Sequence, residues 1–121
     1  AVAELRARGV DDLDVVWVPG SWELPAAAQT AALAGADVVV AVGALIQGET
    51  DHYGYIAAEA ARGLMDVMLG TGVPVGMGLL TVREVEHAVE RARPGPGNKG
   101  GEAAAATLDL LHALRGLESA G

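Results

Sequence analysis

Hydrophobic positions along the chain fall into two alternating kinds of pattern. Nearly continuous apolar runs occupy residues 14–19, 37–45 and 73–81, and such runs are typical of strands that are buried on both faces of a sheet. Between these runs, apolar residues recur every three or four positions, as they do along one side of a helix. The alternation predicts an α/β domain in which helices connect the strands of a parallel sheet and cover both of its faces.

Glycine, proline and capping residues predict where the helices begin and end. A first helix ends at Gly9, a second begins near Pro25 and ends at Gly35, and a third is capped by Asp51. The predicted helices after the first therefore span 23–34, 51–70 and 83–92, followed by a last one that carries Ala103 to Leu117.

The start of the chain suggests a missing segment. Residue 1 is not Met, the first helix has no capping residue, and three strands make a small sheet. We expect residues 1–121 to form a single domain that is truncated at its amino terminus, with a further strand before residue 1.

Composition excludes several classes of function. The formal net charge is -8 and Lys plus Arg total eight, which disfavours binding to nucleic acids and to anionic membranes. The absence of cysteine excludes disulfides and Cys-based metal sites, and the three histidines lack metal-ligand spacing. No apolar run approaches the ~20 residues of a membrane span, and no signal peptide is visible, so we expect a soluble, cytoplasmic protein.

Ligands of open parallel sheets bind at the carboxyl ends of the strands, and unusual residues follow the first predicted strand there. In the segment PGSWE, Trp22 can stack on a flat heterocycle and Glu23 can accept hydrogen bonds from ligand hydroxyls. The alternative is a core tryptophan beside a glutamate that is favoured by the helix dipole. The residues alone leave both interpretations open.

A second candidate segment, IQGETDH, follows the next predicted strand. Gly48 allows the backbone to turn, and Glu49, Thr50 and His52 lead into a helix amino terminus, which suits a phosphate group. An imidazole at this place can exchange protons near neutral pH. In the alternative interpretation, Asp51 only caps the helix and His52 is a solvated residue of its first turn.

Positive charge in the last third of the chain comes mainly from Arg91, Arg93 and the GNKG segment that contains Lys99. A guanidinium such as that of Arg91 can hold phosphate through two parallel hydrogen bonds, although it can equally stabilise the carbonyl end of a helix. Met77 suits a place in the core.

Four stretches of the chain, over about residues 14 to 115, resemble the lumazine synthase family in order and in approximate spacing. They are VPGSWELPAAA, VGALIQGETDHYGYIAAEAARGLMDV, TGVPVGMGLLTV, and VEHAVERA with GNKGGEAA. The resemblance implies a three-layer α/β/α flavodoxin-like sandwich with a parallel sheet, whose first strand is missing from this chain. It also implies the condensation of 5-amino-6-(D-ribitylamino)uracil with 3,4-dihydroxy-2-butanone 4-phosphate to 6,7-dimethyl-8-ribityllumazine, with neither cofactor nor metal.

The resemblance further implies roles for individual residues. His52 is the proton-transfer residue, Glu49 and Thr50 form the phosphate turn, and Met77 and Arg91 reach the site from a neighbouring subunit. The implied substrate-binding residues are Ser21, Trp22, Glu23, Ala44, Leu45, Ile46, Glu49, Thr50, Met77, Arg91 and Lys99.

A site shared between subunits implies a homo-oligomer, either a pentamer or an icosahedral shell of pentamers. The alternative is a non-catalytic relative that binds flavin or forms shells with the same fold. Gln47 and Gly95 favour this alternative, because the family usually has a positively charged residue at both positions. A third possibility is an electron carrier of flavodoxin type. Such a protein needs phosphate-binding loops, and the sequence contains no recognisable ones.

Overall fold

The computed structural model describes residues 1–46, 52–82 and 98–120 of the chain, and within them helices lie on both faces of a parallel sheet. This confirms the predicted α/β fold class. In chain order, the elements are α1 (Val2–Ala7), a short 3₁₀ helix (Ser21–Glu23), α2 (Leu24–Leu33), β1 (Val39–Ile46), α3 (His52–Thr71), β2 (Val75–Val82) and α4 (Lys99–Ala120).

Glycines with a left-handed backbone follow the first three α-helices. Gly9 has φ +90°, Gly35 has φ +107° and Gly72 has φ +76°, a region that L-residues with a side chain seldom adopt. At the end of α3, the hydroxyl of Thr71 donates to the carbonyl of Val67 (2.6 Å) and accepts from the amide of Val73 (3.2 Å). These contacts direct the chain from α3 into β2.

The two strands pair in parallel along their whole length, from Val39 opposite Val75 to Ile46 opposite Val82. Both carboxyl ends therefore lie at the same edge of the sheet. The side-chain positions of successive strand residues point to opposite faces of the sheet, so Val75 and Gly76 face different helical layers.

Helices α2 and α3 cover one face of the sheet. Its core is built from small and medium side chains of α2, α3 and both strands, namely Ala28, Ala32, Ala41, Leu64, Val67 and Val75. Pro25 of α2 lies so close to Gly63 of α3 that a Cβ on Gly63 would stand 2.7 Å from the proline Cγ. Small residues thus let the two helices approach each other, as the composition suggested.

Helix α4 covers the opposite face, and its contact with β2 depends on Gly76. A Cβ at this position would overlap the hydroxyl of Thr107, which is buried and donates to the carbonyl of Ala103 (2.6 Å). Ala103, Ala104 and Leu108 are buried around it.

Helix α1 packs on α4, where Arg8 joins them. Its guanidinium donates to the carboxylate of Glu4 (2.9 Å) and to that of Asp109 (3.0 Å). These hydrogen bonds, first with Glu4 and then with Asp109, raise the pKa of Arg8 above its usual value. Both hydrogen bonds are charge-assisted, because an arginine guanidinium is always charged at physiological pH.

The prediction of a buried strand at 14–19 is wrong for the described part of the chain. Residues 13–18 form no regular element there, and Val15, Val16 and Trp17 are exposed, with Trp17 at 90%. A strand needs a hydrogen-bonded neighbour, and β1 pairs with β2 only among the described residues. The apolar run indicates that the segment is suited to contact another apolar surface. Whether the segment is buried depends on the presence of that surface.

The predicted helix at 83–92 and the cap at Asp51 lie outside the described residues. None of the helices within 1–46, 52–82 and 98–120 is long and apolar enough to cross a membrane.

Candidate functional site

The turn that carries Trp22 lies between residues 13–18 and α2. Gly20 has an extended backbone, and its carbonyl accepts from the amide of Glu23 (3.2 Å), which closes the short 3₁₀ helix Ser21–Glu23. Ser21 is buried, whereas Trp22 is 60% exposed. The turn packs against α3 and β1. An exposed indole on an anchored turn offers a flat surface for a ligand, and the alternative of a core tryptophan is wrong for this chain.

Glu23 is the polar residue of this turn with unsatisfied hydrogen-bonding capacity. Its Oε2 atom is buried and has no hydrogen-bond partner among the described residues. Such a group costs free energy in the folded state, because it has lost water without gaining a donor. A ligand hydroxyl could supply the donor that this oxygen does not find among the described residues.

The carboxyl end of β1 supplies the backbone that was predicted to line a heterocycle. Ala44, Leu45 and Ile46 pair with Leu80, Thr81 and Val82 of β2, so the last peptide groups of both strands lie side by side. Binding sites of parallel sheets form beyond such strand ends.

Helix α3 begins at His52, six residues after the end of β1. The first turn of a helix presents free N–H groups and the positive end of its dipole, which suit an anion. Glu49 and Thr50 lie outside the described residues, as does the departure at Gln47, and the same holds for the side chain of His52. Their predicted roles stay predictions.

Met77 lies on β2 opposite Ala41, with its side chain on the α2 and α3 face of the sheet. It is 46% exposed, so it is not the buried core residue that one interpretation of the sequence predicted. A half-exposed thioether can form part of an apolar wall for a ligand.

Lys99 is the first residue of α4, on the other face of the sheet. Its ammonium lies 3.3 Å from the carboxylate of Glu102, and both side chains are about half exposed. The side chain of Asn98 caps the helix by accepting from the amide of Gly101 (2.6 Å). Arg91, the other predicted phosphate ligand, lies outside the described residues together with Gly95.

The described residues place the predicted site residues on several elements, and two of these elements lie on opposite faces of the sheet. The turn with Trp22 and Glu23 packs on β1 and α3, whose ends carry Ile46 and His52. Lys99 stands on the opposite face of the sheet, on a helix that packs mainly on β2 and α1. Within one chain, Lys99 and Trp22 thus belong to different layers.

Gly78 and Gly100 bring α4 against β2 near Lys99, and no function was predicted for either glycine. The available signal was a glycine inside a strand, which often marks close approach of another backbone. Across residues 1–46, 52–82 and 98–120, no group of three His, Asp or Glu side chains is arranged to hold a metal ion.

The described residues form a three-layer α/β domain that carries an exposed tryptophan and a buried carboxylate oxygen without a partner among them, which defines an α/β protein with a candidate small-molecule site. The family model of 6,7-dimethyl-8-ribityllumazine synthase matches residues 1–115. A 6,7-dimethyl-8-ribityllumazine synthase of Halorhodospira halophila (strain DSM 244 / SL1) is 50% identical over 122 residues, which cover 98% of this chain and 78% of the relative. The chain belongs to the 6,7-dimethyl-8-ribityllumazine synthase family.

Proposed function

We propose that the protein condenses 5-amino-6-(D-ribitylamino)uracil with 3,4-dihydroxy-2-butanone 4-phosphate to 6,7-dimethyl-8-ribityllumazine, a transferase reaction of riboflavin biosynthesis. The observation that carries this proposal is the family match over residues 1–115, together with 50% identity to a synthase along nearly the whole chain. The products are the lumazine, inorganic phosphate and water, and the reaction requires no cofactor or metal.

The turn Ser21–Glu23 binds the pyrimidine substrate in this proposal. Trp22 stacks on the pyrimidine ring, which its exposure allows, and the peptide groups of Ala44, Leu45 and Ile46 line the same heterocycle. Glu23 accepts a hydrogen bond from the ribityl chain. The Oε2 atom of Glu23 is buried without a partner among the described residues, and this supports the role because a ribityl hydroxyl is a donor of the required kind.

The phosphate of the second substrate lies at the start of α3 in this proposal, where Glu49 and Thr50 contact it and His52 transfers protons. The helix start at His52 supports this assignment, because amide N–H groups and the helix dipole stabilise an anion there. Arg91 and Lys99 contribute positive charge. The net charge of -8 makes such local groups necessary, because the field of the whole molecule repels an anionic substrate.

Positioning contributes most of the rate enhancement in this proposal. Imine formation, loss of phosphate and ring closure all move protons, and general acid–base catalysis contributes about 10²–10⁴ in rate. Holding two reactants in a productive geometry contributes more, up to about 7–11 kcal/mol of the barrier. His52 therefore accelerates a reaction that the binding of both substrates already makes possible.

The active site is shared between copies of the chain, in a pentamer or a shell of pentamers located in the cytoplasm. Met77 and Arg91 reach the site from the neighbouring copy. The position of Lys99 supports a shared site, because Lys99 and Trp22 lie in different layers of one chain and a second copy can bring the two side chains together.

An assay that follows the lumazine chromophore in the presence of both substrates tests the proposal. We expect product formation with release of one phosphate per lumazine. Absence of product together with tight binding of riboflavin would instead identify a non-catalytic flavin-binding relative. Omission of either substrate is the control, because neither compound alone forms the ring system.

A further inference from the structure

The first turn of helix α4 lies close to the sheet, where Gly100 of the helix faces Gly78 of β2. A Cβ placed on Gly78 would lie 3.2 Å from the Cα of Gly100 and 3.3 Å from the carbonyl oxygen of Lys99. It would also lie 3.0 Å from Cγ1 of Val42, the residue that pairs with Gly78 across the sheet. The backbone of Lys99 and Gly100 therefore rests directly on the backbone of β2.

Helix α4 runs in the direction opposite to β2. Thr107 lies over Gly76, whereas Gly100 lies over Gly78, so the start of the helix points toward the carboxyl end of β2. The height of the first turn above the sheet sets the starting point of the Lys99 side chain. An added methyl group at Gly78 has to lift or tilt this turn by a few tenths of an ångström, because backbone atoms limit the space.

We propose that Gly78 and Gly100 are positioning residues for Lys99, and that they fix the distance over which its ammonium reaches the phosphate of the phosphorylated butanone. This inference rests on the proposed function. The salt bridge with Glu102 holds the ammonium near the helix start in the free protein. Both side chains of that pair are about half exposed, so the ammonium can exchange Glu102 for a phosphate oxygen at little cost.

The variant Gly78→Ala tests the proposal through the two Michaelis constants. We expect the KM for the phosphorylated butanone and the inhibition constant of inorganic phosphate to rise roughly tenfold, because a charge-assisted hydrogen bond depends on its length. The KM for the pyrimidine is expected to change less than about twofold, because Trp22 and Glu23 lie in another layer. A purely structural defect would lower the amount of folded enzyme and leave both constants unchanged.

The matched control is Gly116→Ala in the same helix. A Cβ at Gly116 would meet no atom within 4 Å, so this variant should keep both constants. The double variant Val42→Ala with Gly78→Ala removes the side-chain neighbour and leaves the helix backbone in place. If the helix carries the effect, this double variant stays as impaired toward phosphate as Gly78→Ala.

A double-mutant cycle with Lys99→Ala decides whether Gly78 acts through Lys99. Once the ammonium is removed, Gly78→Ala should raise the phosphate inhibition constant no further. Equal effects of Gly78→Ala with and without Lys99, or an unchanged phosphate constant in folded Gly78→Ala, would overturn the proposal. Loss of the proposed function itself would show differently, as a wild-type protein that forms no lumazine.

Gly100→Ala keeps the inference testable if Gly78→Ala does not fold. Its Cβ would lie 3.3 Å from the nitrogen of Ala1 and 3.5 Å from Cγ1 of Val42, contacts that are milder than those at Gly78. We expect a smaller rise in the phosphate constant, again only in the presence of Lys99.

Discussion

Glu23 combines two properties that seldom occur together in a residue selected for stability alone. Its Oε2 atom is buried, yet it has no hydrogen-bond partner in the described part of the chain. An unsatisfied buried acceptor commonly costs about 1–3 kcal/mol. A ligand that donates a hydrogen bond to this oxygen removes the free-energy cost. The loss of stability in the free protein is therefore linked to ligand binding.

Replacement of Glu23 by Gln should therefore affect stability and binding in opposite directions. We expect the free energy of unfolding to stay equal or to rise by up to about 1 kcal/mol, because an amide is cheaper to bury than a carboxylate. The KM for the pyrimidine substrate should rise about tenfold, since a hydrogen bond to a charged group is weakened. Urea denaturation and steady-state kinetics measure the two effects.

The control for this variant is Glu118→Gln, at an exposed position of α4, which should change neither quantity. Destabilisation of Glu23→Gln by more than about 1 kcal/mol with an unchanged KM would contradict a ligand-binding role and indicate a structural one.

His52 is predicted to accelerate proton transfer without being needed for binding. His52→Ala should lower kcat by no more than about 10⁴ and leave the affinity for both substrates nearly unchanged. His112→Ala, at an exposed position of α4, is the control and should keep full activity. Calorimetric titration of the pyrimidine substrate checks the affinity, and complete loss of binding in His52→Ala would be incompatible with the assigned role.

At the scale of elements, the sequence predicted those features that depend on local chemistry. Gly9 and Gly35 were expected to end helices, and both have a left-handed backbone. The third helix was expected to end at about residue 70, and it ends at Thr71, before the left-handed Gly72. The strands at 39–46 and 75–82 were predicted within two residues at each end, because both are long apolar runs. The final helix begins at Lys99, earlier than predicted, because the cap by Asn98 outweighs two consecutive glycines.

Features that depend on contacts between distant residues could not be predicted. The exposed apolar segment around Trp17 has the composition of a buried strand, and only the arrangement of its neighbours decides its burial. The burial of the Glu23 Oε2 atom without a partner among the described residues and the close approach of α4 to Gly78 likewise depend on packing. The sequence thus predicted candidate site residues, while the distances between the described residues required the structure.

The contact between α4 and Gly76 of β2 predicts that a side chain at Gly76 lowers the stability of the protein. In Gly76→Ala, the new Cβ would overlap the hydroxyl of Thr107 and stand 2.9 Å from the carbonyl oxygen of Ala103. Overpacking costs about 1–3 kcal/mol in ordinary cases, and we expect the upper part of that range or more, because a backbone atom is involved. Chemical denaturation measures the loss.

Two further variants check this explanation. Gly116→Ala should be neutral or stabilising by up to about 1 kcal/mol, because it adds helix propensity in open space. Thr107→Ala should rescue part of the loss in Gly76→Ala, since it removes the hydroxyl and leaves the carbonyl of Ala103. Equal stability of Gly76→Ala and the wild type would show that the helix does not rest on this glycine.

For the whole molecule, small side chains define the packing. Alanine and glycine bring α2, α3 and α4 close to the sheet, and none of the described residues is a large side chain that is fully buried. Large apolar side chains remain exposed instead, among them Trp17, Leu33, Tyr55 and Leu69. Such a distribution favours association with another surface, because burying apolar area stabilises a complex by about 25 cal/mol per Å² before the cost of association.

The proposed shared site requires that catalysis depends on this association. Light scattering should detect a pentamer or a larger assembly in the concentration range in which the enzyme is active. Dilution until the assembly dissociates should abolish turnover and shift tryptophan fluorescence to longer wavelength if Trp17 is covered by a neighbouring copy. The variant Trp17→Phe serves as the control for the fluorescence signal, because it leaves Trp22 as the only tryptophan. A monomer that forms lumazine at the undiluted rate would exclude a site built from two chains.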